Sequence, residues 1–372
     1  MLFHLAPIPT ALVRQTLAAG AMAMALTLAG TLALAQGTPP SIKPAGAPWD
    51  SGAGFQFDLK KKKAQKTRQS LSGMACTRDA RLQRICLMVF DEGAQARYAQ
   101  VRENSLTVDP EPVLFRDIAG ELDAEGAATD GHYFYVTGSH SAKRSDCASN
   151  PDSRHVIRFR LDPATGHALR SPAGGANGSL VDYADSGRLW QIMQSQPELQ
   201  AYVGERQCLG GVQQGINIEG LAVQDGRLYF GFRGPVIQGA AKVLTVDAEA
   251  FFKGGDPKAT VTRIALGERR GIRDMVAVKS GILLLGGPDD DAASQDSVGW
   301  TVSWWDGKTS PNVVQPKPLA ALDISGVKLR PCDAQIKPEA LTVLEETPQA
   351  YKLLVLSDGL CDGGPLAFTI PR

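Results

Sequence analysis

The chain has no surplus of charge: 39 lysines and arginines are balanced by 39 aspartates and glutamates. No global field therefore draws it to nucleic acid. It has no C-x-x-C and no Cys/His cluster, which removes zinc and thioredoxin-like readings. It also lacks G-x-S-x-G, a P-loop and a dinucleotide fingerprint. Long apolar runs are missing after the first 35 residues, so no later segment reads as a membrane span.

The one long apolar run is the stretch TLAAGAMAMALTLAGTLALA, Thr16 to Ala35, preceded by a single strong charge, Arg14, and ending in Ala33-Leu34-Ala35. Residues 1–35 thus have the arrangement of a cleavable secretory signal with small residues before the cut. The stretch is also long enough to span as an uncleaved anchor, but its Gly and Thr interruptions and A-x-A end favour cleavage. The expected product starts near Gln36 and is soluble and exported, either secreted or periplasmic. Its six cysteines, Cys76, Cys86, Cys147, Cys208, Cys332 and Cys361, form an even set in a compartment where disulfides persist, which predicts three bridges.

Residues 36–54 are rich in Pro and Gly and predict an extended or mobile leader, with a single domain over residues 55–372. The basic run LKKKKAQKTR, Leu59 to Arg68, reads as a solvated edge strand rather than a polyanion site. From Phe55 onward, short apolar runs alternate with Gly, Asp, Asn and Pro, which predicts an all-β protein. One stretch, residues 186–203, has Leu189, Ile192, Met193 and Leu199 at helical spacing and reads as an insertion broken at Pro197.

Internal repetition sets the architecture. EGAATDGHYFYVTGSHS from Glu125, INIEGLAVQDGRLYFGFRGP from Ile216, DMVAVKSGILLLGGPDDD from Asp274 and EALTVLEETPQAYKLLVLSDG from Glu339 share one pattern. A carboxylate precedes small or apolar residues, then a polar turn, then an apolar strand running into glycine. A degenerate copy starts at Ser72. Steps of roughly 50 to 65 residues match a four-stranded propeller blade. The expectation is a five-bladed β-propeller, with a six-bladed one, hiding a blade in residues 171–215, as the alternative. The last copy lacks a fourth strand, which FQFDLKKKK is expected to supply.

If the repeats are innermost strands, Glu125, Glu219, Asp274 and Glu339 meet at one mouth of the channel, ringed by the loops that follow the second strands. The same geometry favours pairing Cys76 with Cys86, Cys147 with Cys208 and Cys332 with Cys361. Converging carboxylates repel one another and need a neutralising partner. A divalent cation, Ca²⁺ being the best match to oxygen ligands, is one solution. Backbone N–H groups with Arg233 and Arg273 as counter-charges are the other. Arg233, Arg273 and His140, which lies in a mouth loop, are candidate ligand contacts. His132 reads as solvated, the run Asp289, Asp290 and Asp291 as a solvated turn, and Trp304 and Trp305 as alternating across a strand.

The segments DAEGAATDGHYFYVTGSHS, GINIEGLAVQDGRLYFGFRGPV and IRDMVAV resemble the domain of unknown function family 3616, and the likeness covers most of the chain after the signal. The carboxylate start of the inner strand is more distantly similar to gluconolactonase-type and phytase-like esterase propellers, which implies metal-holding channel carboxylates; Ser72 departs from that pattern. Two functions stay open. One is a binding or scaffolding propeller, expected to be a monomer, that takes a small molecule, glycan or peptide at the mouth. The other is a metal-assisted hydrolase of phosphoesters, esters or lactones using Glu125, Glu219, Asp274 and Glu339 as ligands.

Overall fold

The computed structural model describes residues 38–58, 60–115, 120–172, 179–210, 213–291 and 297–372. The expected signal, residues 1–35, lies outside the described residues. Pro39–Arg372 form one compact unit.

A short strand, β1 (Ser41–Ile42), precedes a helix, α1 (Lys61–Arg68), and then the strands fall into successive meanders. The first blade is β2 (Leu71–Arg78), β3 (Arg84–Phe90), β4 (Gln95–Arg102) and β5 (Ser105–Leu114). The second is β6 (Ala124–Thr129), β7 (Tyr133–Gly138), β8 (Val156–Arg160) and β9 (Ala184–Ser186), and the third is β10 (Asn217–Gln224), β11 (Arg227–Gly234), β12 (Ala240–Asp247) and β13 (Thr260–Ala265). The fourth is β14 (Arg270–Val278), β15 (Gly281–Pro288), β16 (Trp300–Trp305) and β17 (Lys317–Leu322), and the fifth is β18 (Lys337–Glu346), β19 (Ala350–Asp358) and β20 (Leu366–Pro371). The architecture is a five-bladed propeller.

The first strand of each blade is innermost, because β2, β6, β10, β14 and β18 neighbour one another around a closed ring. Close approach there needs small side chains. A Cβ on Gly126 would stand 2.7 Å from Cβ of Leu221 in the next blade, closer than packed carbons come. The core lies between blades, for example Leu87, Val89, Phe134, Val136 and Phe159 between the first and second. Trp305 is buried between the third and fourth, edge-on to Tyr229 at 5.8 Å. Trp304, its neighbour on the strand, is half-buried against the interface with the fifth blade.

The insertion in the second blade contains a helix, α2 (Arg188–Ser195), that ends ahead of Pro197. Leu189, Ile192, Met193 and Leu199 are buried against β10 residues. A third helix, α3 (Ala248–Lys253), follows β12: the Asp247 side chain caps it by accepting from Ala250 N–H, and Gly254 closes it at φ 89°.

Ring closure differs from the expected strand exchange. Lys61–Arg68 is α1, not a strand, and among the described residues the fifth sheet keeps three strands. The Pro/Gly-rich leader does the closing instead, and structure begins well before Phe55. β1 pairs in parallel with β17 of the fourth blade. Ala45 and Trp49 N–H then donate to Ala367 and Pro365 in the fifth blade, and Asp50 carbonyl accepts from Leu106 N–H in the first. Phe55 and Phe57 both lie edge-on to Phe90 at 5.3 Å. The strap ends on Asp362, which accepts from Ser51 Oγ, Phe55 N–H and Arg68.

Candidate site at the channel mouth

Every inner strand carries a β-bulge at the same place. The ladder skips one residue between Leu71 and Gly73, Ala124 and Gly126, Ile218 and Gly220, Ile272 and Asp274, and Pro338 and Ala340. The skipped residues are Ser72, Glu125, Glu219, Arg273 and Glu339. A bulge frees its side chain from strand alternation and re-aims it. The ring is therefore a serine, three glutamates and an arginine, which shifts the sequence assignment by one residue in the fourth blade. Asp274 sits one position further on, where its carboxylate accepts from Met275 N–H at 2.7 Å and from Leu341 N–H at 2.6 Å.

Arg273 is the pivot. Its Nε lies 2.7 Å from Glu219 Oε2, though off the hydrogen-bond direction, and its Nη2 donates to Glu339. Arg233, on a second bulge in β11, donates from Nη1 to Glu219 Oε1 at 3.1 Å. Ser72 Oγ donates to Glu339 Oε2 at 3.4 Å. Both guanidinium side chains are 1% exposed and the Glu219 side chain 2%. Burial, opposed by Glu219 and reinforced by Arg273, pulls Arg233 down to about 10. Arg273 is likewise desolvated, but Glu219, Glu339 and Glu125 carry its pKa above the usual value.

Glu125 is different: among the described residues no cation or hydrogen-bond donor meets its carboxylate. Burial, with the fields of Glu219, Asp123 and Glu339, raises its pKa well above the carboxylate range. Burial also pushes Glu339 up to about 8 despite Arg273, and Asp91, just past β3, up to about 7. Asp123 is raised by burial while Ser139 Oγ donates to it. The mouth is thus a desolvated carboxyl cluster held together by two buried arginines. Beyond the bulges the channel narrows to a cavity of about 110 Å³ lined by Met74, Ala127, Leu221, Met275 and Thr342 among others.

A second opening lies beside the ring, between the fourth and fifth blades. This cleft of about 310 Å³ is bounded by Arg233, Arg273, Asp291, Trp300, Gln335 and Lys337. Gly287 makes it possible, because a Cβ there would come within 2.2 Å of the Trp300 ring. Arg273 lies over that ring, 5.6 Å from its centroid. The sequence named two of its lining residues, Arg233 and Arg273, as candidate ligand contacts. It did not point to an opening between these blades, and it read the run Asp289 to Asp291 as a solvated turn, yet Asp291 pairs with Arg233 and Arg144 and lies 3.9 Å from Lys337.

His140 is brought near the mouth loops but not into the cleft. It is fully buried at φ 55°, with Nδ1 2.9 Å from Gly138 carbonyl and burial pushing it down to about 4, so it is neutral. His132 is exposed in its turn. Cys76 pairs with Cys86 and Cys147 with Cys208 as expected. Cys332 and Cys361 are thiols instead of the predicted third bridge: Cys361 Sγ donates to Cys332 carbonyl at 3.0 Å, and burial first, then Cys332, pushes the Cys361 thiol up to about 12.

Residues 80–171 and 163–362 match the family described as Protein of unknown function (DUF3616), most of the chain. The chain belongs to DUF3616. No curated protein matches it. Among solved structures, this DUF3616 protein is similar to a GH43 β-1,3-galactosidase solved with galactodeoxynojirimycin, at 9% identity and TM-score 0.42, over 88% of this chain and 94% of that one. It is also similar to the α-L-arabinanase of Penicillium chrysogenum, at 10% identity and TM-score 0.38, over 89% and 98% of the two chains. A GH43_1 enzyme from Xanthomonas citri matches at 11% identity and TM-score 0.39, over 82% and 88%. Likenesses this distant carry no activity to the DUF3616 chain.

Proposed function

We propose that this DUF3616 protein is a binding propeller that takes a small polar molecule, glycan or peptide at the channel mouth. The observation that carries the reading is the cleft itself: two buried arginines, already fixed by the glutamate ring, form its floor beside a tryptophan face and Lys337. Preformed, concave and lined by a few convergent polar groups, it has the make-up of a ligand site. Thermal-shift screening against mono- and oligosaccharides, amino acids and short peptides tests it. Ligands should be found whose stabilisation disappears in Trp300→Ala and survives in Leu82→Ala, a change at a residue 72% exposed elsewhere. Stabilisation equal in both variants, or none from any compound, counts against a site at the mouth.

One observation favours the hydrolase alternative: among the described residues the carboxyl of Glu125 stands without a contacting partner, in the field of Glu219 and Glu339. Against a Ca²⁺ held by Glu125, Glu219, Asp274 and Glu339 stand the donors already in place. Asp274 takes two backbone N–H groups, and Arg273 supplies the positive charge between Glu219 and Glu339. The donor set therefore fits an internal arginine better than a cation, and calcium content of purified protein before and after chelation discriminates the two.

The setting inferred is extracytoplasmic and the protein is taken to act as a monomer. Two disulfides support export. Among the described residues no helix is long and apolar enough to cross a membrane.

A further inference from the structure

Asp291 has an unusual position for a loop carboxylate. Its own side chain is 38% exposed, yet it completes the charge balance of Arg233, which is 1% exposed and has its other amino group on Glu219. It also reaches Arg144, 43% exposed, and stands 3.9 Å from Lys337. Three cations from three blades converge on one oxygen pair at the edge of the cleft. Asp291 N–H donates to Oδ1 of its neighbour Asp290 at 2.6 Å, and the position lies beyond the end of β15 at Pro288.

We propose that Asp291 occupies, from within the chain, the place of an oxyanion carried by the ligand, and that an acidic monosaccharide displaces it. This rests on the reading of the cleft as the ligand site. Like replaces like: a ligand carboxylate or sulfate against Arg233, Arg144 and Lys337 restores the charge that the outgoing Asp291 removes, so Arg233 is never left buried and unpaired. The exchange is accessible because Asp291 is held at the cleft edge by side-chain pairs, 38% exposed, and lies beyond the end of β15 at Pro288. Arginine's planar fork suits a carboxylate or sulfate. Trp300, half-buried, lines the same cleft and supplies apolar ring surface against which a sugar can pack.

Calorimetric titration of the full chain with D-glucuronate, D-glucose and inorganic sulfate tests the proposal. Asp291→Asn should bind glucuronate at least tenfold more tightly than the unmodified protein, in a salt-dependent manner, while glucose stays unchanged. Sulfate binding that rises in the same variant, but less than glucuronate, assigns the gain to the oxyanion and the difference to the sugar ring. Arg144→Met should weaken glucuronate binding several-fold, and it decides the matter should Asp291→Asn not fold. An Asp291→Asn protein that keeps its melting temperature and gains no anion binding overturns the proposal. So does glucose binding as tightly as glucuronate at the cleft, an outcome that leaves the binding function itself standing. Absence of any ligand in the wider screen overturns both.

Discussion

Glu125 shows most plainly what a single residue does in this ring. Its counterparts are each answered, Glu219 by two arginines and Glu339 by Arg273 and Ser72, whereas Glu125 is buried with no contacting partner among the described residues and with Glu219, Asp123 and Glu339 as its strongest neighbouring charges. Burial and the neighbouring acids disfavour its ionised form. Glu125→Gln keeps the shape and removes the penalty, so the melting temperature at pH 8 should rise by roughly 1.5 to 3 °C, the shift expected for about 1 to 2 kcal/mol in a chain of this size. A fall in the thermal scan would mean that an unseen cation holds the carboxylate ionised. At this scale the sequence was half legible. Glu219 and Glu339 stood out as repeated carboxylates, and Arg233 and Arg273 as their counter-charges. Asp274 was placed in the ring because the repeat was aligned on charge sign. The bulge puts Arg273 there instead, and a reversal of charge at a repeated position is invisible to a pattern that looks for acids.

The elements divide along the same line. Hairpins with apolar second strands, such as β10 and β11 with Asp225-Gly226 between them, declare themselves by alternation and a positive-φ turn. The strap does not. Pro40 to Phe57 holds its place by isolated backbone bonds and by Trp49, Phe55 and Phe57, with no period for a sequence reading to find. Helix α1 hides for a related reason: KKKAQKTR buries only Thr67 and shows no apolar stripe. Its place comes from the Arg68 pair with Asp362. Asp362→Asn removes the charge beneath Arg68 and weakens the acceptor of Ser51 and Phe55, a loss of about 2 to 4 kcal/mol localised at the seam. Limited proteolysis of that variant should cut between residues 39 and 57 before the blades are attacked; simultaneous loss of all bands would show that the strap does not open alone.

For the whole molecule, the buried acids set a pH dependence. Asp91 near 7, Glu339 near 8 and Glu125 well above the ordinary range all hold protons more tightly in the folded chain than in the unfolded one. Their contribution to stability is complete below about pH 4 and declines as pH rises toward 8, by up to about 1.4 kcal/mol per pH unit for each group. His155 beside Asp185 and His167 beside Asp109, both raised by those hydrogen bonds, lose their contribution in the same direction above about pH 6.5. Denaturant midpoints should therefore be higher near pH 5 than at pH 8, and a midpoint that climbs with pH would mean the cluster is ionised and neutralised from outside. The five-blade ring was legible in the sequence because repeats leave a period; the desolvation of its carboxyl cluster was not, since burial is a property of the assembled ring.

The strap also sets an order in time. Ser51 and Asp362 are 311 residues apart along the chain, and closing so long a loop from a disordered chain costs about 5 kcal/mol beyond the fixed term. Once the blades have stacked, their own structure spans that distance and most of the cost is already met. The latch is therefore cheapest to fasten last, which makes the earliest part of the ordered chain the latest to settle and leaves the first blade's outer edge open to wrong partners until the fifth has formed.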